Sequence, residues 1–102
     1  MTVTDLLIEL QSWYASNCDG DWEHEWGVKI ATLDNPGWMV DLNLEDTSLE
    51  DREFRKVRVD KTEGDWYVCE VKDKVFKGRG GAENLRDILQ VFVEWWKAAQ
   101  AS

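Results

Sequence analysis

The chain has 102 residues, a length typical of one domain, and we expect residues 1–102 to form a single domain. Its formal net charge is −9, which disfavours direct binding to nucleic acid or to an anionic membrane and suits a basic protein partner. The same charge also serves solubility and does not by itself require a partner. The charge is uneven. Residues 1–51 hold twelve acidic residues and one base, Lys29, whereas residues 52–102 hold nine acidic and eleven basic residues.

The two cysteines, Cys18 and Cys69, are far apart and form no zinc-binding pattern. The N-terminal residues lack the basic region and cleavage site of a signal peptide. No apolar run approaches the ~20 residues that a membrane helix needs. We therefore expect a soluble cytoplasmic protein with reduced thiols and no membrane partner.

The N-terminal segment predicts a helix. Thr4 can cap it, and Asp5 suits the positive end of the helix dipole. Apolar residues then recur at helical spacing and predict one buried stripe, formed by Leu6, Leu7, Leu10, Trp13 and Tyr14. The helix should end near residues 17–18, because the sequence DGD at residues 19–21 is typical of a turn.

Alternation of apolar and polar residues predicts strands at residues 26–33, 38–44, 54–61, 66–72 and 75–78. The sequence DNPG at residues 34–37 is a strong turn and makes the first two strands a hairpin. Residues 45–53 form an acidic loop with Leu49 as its only apolar anchor, and we expect a loop of this composition to contribute little to the core. The strand at residues 66–72 has two possible phases. The favoured one directs Tyr67, Cys69 and Val71 inward. The last strand is a short edge strand that Gly80 and Gly81 end.

The last element is a helix at residues 82–99 with a single apolar face. The order of elements predicts an α+β fold, a two-layer sandwich. An antiparallel meander sheet of about five strands would carry the N- and C-terminal helices packed on one face.

A cluster of acidic residues and the only histidine lies between Asp19 and Glu25 and could ligate a divalent cation. Its spacing is not that of a calcium loop. The alternative is architectural: Asp19 and Asp21 form the turn while His24 caps or pairs with an acidic neighbour. A small ligand- or metal-binding domain is thus the second functional hypothesis.

No catalytic site is expected. Cys18 and His24 are close in sequence, but no motif supplies an oxyanion site or a third orienting group. The glycines at residues 78–81 lack the Lys and Ser/Thr of a phosphate loop. The basic residues of 52–61 alternate with apolar and acidic ones, which is typical of a solvated strand face. We predict no cofactor and no resident metal.

The sequence offers two candidate surfaces for a protein partner. The first is acidic and lies on the second strand and the loop after it, with Asp41, Glu45, Asp46, Glu50 and Asp51. The second is the outer face of the sheet around Trp66, because a partly exposed Trp is a frequent interface anchor.

The chain resembles the family-53 immunity proteins of bacterial polymorphic toxin systems. The most specific matches are CDGDWEH at residues 18–24 and TLDNPGW at residues 32–38. Further matches are Trp13, Tyr14, Gly27, Asp65, Trp66, Cys69, Phe76, Gly78, Gly80, Gly81, Glu83, Asn84 and Leu85. The chain departs from the family pattern at Asn17, where Gln is expected, and at Ala82, where Pro is expected. Neither departure touches the two specific strings.

The resemblance implies a non-enzymatic inhibitor that binds a cognate toxin domain and protects the producing cell. The toxin is not identified, although a basic nuclease domain would fit the acidity. We expect a monomer.

We also expect the motif residues to be largely architectural, with Trp22 or Trp26 packed against the first helix. The motif residues are Trp13, Cys18, Asp19, Gly20, Asp21, Trp22, His24, Trp26, Pro36, Gly37 and Trp38. Replacing Trp26 with Ala would then cost about 3–5 kcal/mol.

Overall fold

A computed structural model describes residues 5–101, so the predicted cap at Thr4 lies outside the described residues. The helices are α1 (Leu6–Asn17), a short α2 (Trp22–Glu25) and α3 (Leu85–Ala101). The strands are β1 (Val28–Leu33), β2 (Gly37–Asn43), β3 (Val57–Thr62), β4 (Asp65–Lys72) and β5 (Val75–Gly81). All strand pairs are antiparallel, which confirms the α+β class. Within residues 5–101, no helix has the length and apolarity needed to cross a membrane.

The strand order is β1-β2-β5-β4-β3, which differs from the sequential order of the expected meander. β5 is a central strand rather than the predicted short edge strand, and it continues through Gly81. The reason is the segment at residues 44–56, which carries the chain past two strand positions before β3 begins. Leu44 and Leu49 are fully buried along this segment, and Phe54 packs edge-on against Phe76 with ring centroids 5.4 Å apart.

The two faces of the sheet are unlike. The inner face is covered by the helices and includes Val40, Leu42, Cys69 and Phe76, all fully buried. Cys69 lies opposite Gly78 in the β4–β5 ladder. This confirms the favoured phase of β4, with Trp66 and Val68 on the opposite, outer face.

α1 begins with a capping interaction at Asp5, whose Oδ1 accepts hydrogen bonds from the N–H groups of Leu7 and Ile8 at 3.1 and 3.2 Å. Its buried residues are Leu6, Leu10 and Trp13. The predicted stripe was wrong for Leu7 and Tyr14, which are 65% and 36% exposed. α1 lies beside α3, and Trp13 meets Phe92 with ring centroids 5.0 Å apart. Both terminal helices therefore lie on the inner side of the sheet.

α3 has the predicted apolar face, with Ile88, Leu89, Phe92, Val93 and Trp96 buried. It begins at Leu85 rather than at residue 82, and Asn84 explains this start. The Asn84 side chain is buried and donates to Asp65 and Asp87 at 3.0 and 2.8 Å, which fixes the helix start on the sheet.

α3 packs against β5 at two strand positions that lack a side chain. A Cβ atom on Gly78 would overlap Ile88 Cγ2, and one on Gly80 would come within 3.1 Å of Ile88 Cδ1. Gly80, which with Gly81 was expected to end the strand, therefore lies inside the central strand and, together with Gly78, leaves room for the helix.

Replacing Gly78 with Ala should lower the free energy of unfolding by about 1–3 kcal/mol, the usual cost of an overpacked core. Gly64→Ala is the control, because a Cβ there meets nothing within 4 Å. Chemical denaturation of the two variants and of Gly78→Ala with Ile88→Ala tests the cause. Purely additive costs for Gly78→Ala and Ile88→Ala would contradict a steric conflict between these positions.

Candidate functional site

The CDGDWEH segment (residues 18–24) is organised by its own carboxylates. Asp19 Oδ1 accepts hydrogen bonds from the N–H groups of Asp21 and Trp22, both at 2.9 Å. Glu23 accepts from the N–H groups of Asp19 and Gly20, both at 2.9 Å. Backbone N–H donors, chiefly those of Trp22 and Asp21, lower the pKa of Asp19. Backbone N–H donors, its own foremost, likewise lower the pKa of Glu23.

This geometry gives no support to a cation site in the CDGDWEH segment. The carboxylates of Asp19 and Glu23 are already engaged by the backbone, and His24 is exposed on α2. Across residues 5–101, three potential ligand atoms converge within 4.8 Å only at Glu45, Asp46 and Glu50. The described residues between Asp19 and Glu25 therefore bring no three potential metal ligands together.

Trp22 connects this segment to the rest of the protein. Its indole is 4% exposed and meets Trp13 and Tyr14 edge-on, with ring centroids 5.9 and 5.7 Å apart. Its Nε1 donates to the carbonyl oxygen of Glu45 at 2.8 Å. Of the two tryptophans expected to pack on α1, Trp22 is thus the buried one, whereas Trp26 is half-buried.

The acidic loop (residues 45–53) and Leu44 before it are an ordered part of the fold. Leu44 N–H donates to the carbonyl oxygen of Lys74 at 2.8 Å, and Leu49 is fully buried. The expectation that this loop contributes little to the core was therefore wrong. Local apolar content is low, but both leucines reach the core and the indole of Trp22 holds the loop from the other side.

Lys74 pairs with two carboxylates of the acidic loop. Lys74 Nζ lies 2.8 Å from Glu50 Oε1 and 3.7 Å from Glu45 Oε1. The hydrogen bond with Glu50 raises the pKa of Lys74 and lowers the pKa of Glu50. The ammonium group of Lys74 thus compensates the negative charges of Glu45 and Glu50. Asp46 and Asp51 are more exposed and present their charge to solvent.

The other two predicted contact residues lie on the outer face of the sheet. Asp41 is on β2 and pairs with Arg79 of β5 at 2.8 Å. Trp66 is half-buried on β4, opposite Asp60 of β3. The five predicted acidic residues therefore occupy two places: four on the acidic loop and one in an ion pair on the outer face.

The LDNPGW string (residues 33–38) forms the turn between β1 and β2. Pro36 is exposed, whereas Gly37 is buried and opposite Gly81, where a Cβ would overlap the carbonyl oxygen of Gly80. Trp38 Nε1 donates to the carbonyl oxygen of Ala82 at 2.8 Å, which ties the hairpin to the segment before α3. These contacts are architectural.

Sequence reasoning missed a groove between α1 and the start of β1. It has a volume of about 440 Å³, and its apolar lining consists of Leu7, Leu10, Tyr14, Trp26 and Val28. A signal was present, because Leu6, Leu7 and Ile8 are consecutive apolar residues and cannot all face the core from one helix.

The two tryptophans should differ in their effect on stability. Trp22→Ala should cost about 3–5 kcal/mol because it removes a buried ring. We now expect less for Trp26→Ala than the sequence suggested, because that side chain is half-buried. Trp22→Phe keeps a ring but loses the hydrogen bond to Glu45, so its loss of stability should lie between those of Trp22→Ala and Trp26→Ala. Denaturant titration would contradict this ranking if Trp26→Ala proved the most destabilising.

The two thiols should also differ. Cys18 is exposed, whereas burial raises the pKa of Cys69 to about 12. The native protein at neutral pH should react with one equivalent of a thiol reagent and the denatured protein with two. Because the native state holds the Cys69 proton more tightly, Cys69 should contribute a loss of stability as the pH rises above about 9. Cys69→Ser, which does not titrate in this range, is the control for the pH effect.

The sequence model of immunity protein 53 matches residues 7–97, which is nearly the whole chain. No curated protein and no solved structure matched the chain. The matched range includes both the CDGDWEH segment and the LDNPGW turn. The chain therefore belongs to the immunity protein 53 family.

Proposed function

We propose that this protein binds and neutralises a cognate toxin domain of a polymorphic toxin system in the cytoplasm of the producing cell. Membership of the immunity protein 53 family is the observation that carries this proposal. Neutralisation requires only that the bound protein blocks the path of the toxin's substrate. The inhibitor then needs an exposed surface that matches the toxin and no chemistry of its own.

The nucleophilic residues of the chain are consistent with binding rather than catalysis. Burial raises the pKa of Cys69, which is opposite to what a thiolate nucleophile requires. Cys18 donates from its Sγ to the carbonyl oxygen of Tyr14 at 3.3 Å, in a local contact within α1. His24 is exposed on the next helix. The Cys18 thiol is therefore engaged by the backbone at the end of α1.

The acidic loop supports a basic toxin domain as the partner. Its backbone is held by Leu44, Leu49 and the indole of Trp22, so little ordering entropy would be lost on binding. Asp46 and Asp51 extend from this fixed backbone into solvent. Such a surface favours rapid association with a positively charged partner, and a basic nuclease domain is the toxin class that fits it best.

Removing the two exposed loop charges should slow association with the toxin domain. Asp46→Asn combined with Asp51→Asn should lower the association rate constant about threefold to tenfold at low salt, with the difference shrinking as salt rises. Asn is chosen because residue 46 has a φ of 60°, a conformation that Asn tolerates. Glu45 and Glu50 are left intact to preserve their pairing with Lys74. Stopped-flow measurement across a salt titration provides the readout.

The matched control is Glu63→Gln combined with Glu83→Gln. These residues are also exposed and the net charge changes by the same amount, but they lie near the opposite end of the sheet. If both double variants slow association equally, the effect comes from net charge and the acidic loop is not the contact surface. Failure of the wild-type protein to bind the toxin encoded beside it, or to protect cells expressing that toxin, would overturn the proposed function itself.

A further inference from the structure

The two edges of the sheet differ in how well they are protected against pairing with another strand. β3 carries Arg58 and Lys61, and its register shifts between Asp60 and Thr62. Such charges and irregularities are how natural sheets prevent edge pairing. β1 pairs with β2 in an unbroken register and has a single charged residue, Lys29. β1 is therefore the edge that remains suitable for an added strand.

The pairing of β1 with β2 determines which backbone groups face outward. Asn43 N–H donates to the carbonyl oxygen of Gly27 at 3.1 Å, so these two residues form a hydrogen-bonded pair at the start of the ladder. In an antiparallel ladder such pairs recur at every second residue. The N–H and C=O groups of Val28, Ile30 and Thr32 are therefore directed toward the free edge.

The groove between α1 and β1 opens beside this edge. It is lined by Leu7, Leu10 and Tyr14 of α1 and by Val28 of β1. Among residues 5–101, the exposed large hydrophobic side chains are Leu7, Ile8, Tyr14 and Ile30. Two of these four line the groove, and Ile30 is on the adjoining strand. Apolar side chains are thus concentrated beside the β1 edge, which has no partner strand in the part of the chain that the structure describes.

We propose that β1 accepts an extended segment of the toxin domain as a sixth strand, a proposal that rests on the proposed function. Main-chain hydrogen bonds to Val28, Ile30 and Thr32 would hold the segment, while its inward side chains, alternating along the strand, would enter the groove. The segment should be apolar at those inward positions because the groove lining is apolar.

The charges on either side of β1 also favour a segment of the toxin domain as the occupant of this edge. Exposed acidic residues flank β1, with Glu25 before it and Asp34 after it. Glu25 also lines a second concavity of about 350 Å³ at the start of the strand. The toxin segment should therefore carry basic residues near its ends. A second copy of this chain is disfavoured as the occupant, because each copy carries a net charge of −9 and the same acidic flanks.

The first test changes only the outward backbone donor. Thr32→Pro removes an N–H that faces the free edge and should spare the β1–β2 ladder, since proline is tolerated on edge strands. The dissociation constant for the toxin domain should rise about tenfold or more. Thr32→Val keeps the N–H and is the control, with a change within about twofold expected. Thermal unfolding of both variants separates a binding effect from misfolding.

The second test changes the groove. Leu7→Gln should weaken binding about tenfold because it replaces an apolar groove residue with a polar one. Ile8→Gln is a matched control: the neighbouring residue is 57% exposed and does not line the groove. It should leave the dissociation constant within about twofold. Hydrogen exchange should also show slower exchange at the amides of Val28, Ile30 and Thr32 in the complex.

The outcomes separate this proposal from the proposed function. If the wild-type protein binds the toxin domain but Thr32→Pro and Leu7→Gln bind equally well, edge pairing is overturned and toxin binding stands. Unchanged exchange at the three amides in the complex would have the same meaning. A wild-type dimer that Thr32→Pro dissociates would overturn the toxin segment as the occupant. No binding by the wild-type protein would overturn both.

Discussion

The close approach of α3 to β5 is the constraint on which the other features depend. Ile88 occupies the space above Gly78 and Gly80, so β5 must lie under the helix and near the middle of the sheet. A central β5 requires β2 and β3 to be joined by a long crossing segment, and that segment contains the acidic loop. The same arrangement covers one face of the sheet with both terminal helices and, within residues 5–101, leaves the β1 edge without a neighbouring strand.

Aromatic contacts extend this constraint to the CDGDWEH segment. Edge-on ring contacts run from Trp22 to Trp13, then to Phe92 of α3 and Phe76 of β5. Trp13 is 1% exposed, and its Nε1 has no hydrogen-bond partner among residues 5–101, a desolvation cost of about 1–3 kcal/mol that the packing must offset. The family-specific string thus stabilises the fold through one buried ring, while its acidic side chains stay near the surface.

The sequence pattern correctly predicted the features of the fold that depend on residues close together in the chain. Alternation favoured the inward phase of Cys69 in β4 without excluding the opposite one, and helical spacing predicted the buried face of α3, because each depends on neighbouring residues. The central position of β5 depends on a contact between Gly78 and Ile88 that a sequence pattern does not display. The same limit applies to Leu7 and to the acidic loop. Whether a leucine is buried depends on which element covers it, and Leu49 is covered by elements distant in sequence.

The fold places the acidic first half of the chain and the basic residues of β3 at opposite edges of the sheet. The acidic first half supplies α1, α2, β1 and β2, while the basic residues of β3 lie at the opposite edge of the sheet. The bond from Trp22 to Glu45 joins the acidic loop to the segment that leads into β1. Exposed acidic side chains are therefore present both on the loop and on the segment that leads into β1, where Glu25 lies. In the proposed complex, long-range attraction by these acidic side chains would act before contact, and the apolar and backbone contacts of the β1 edge would act after it.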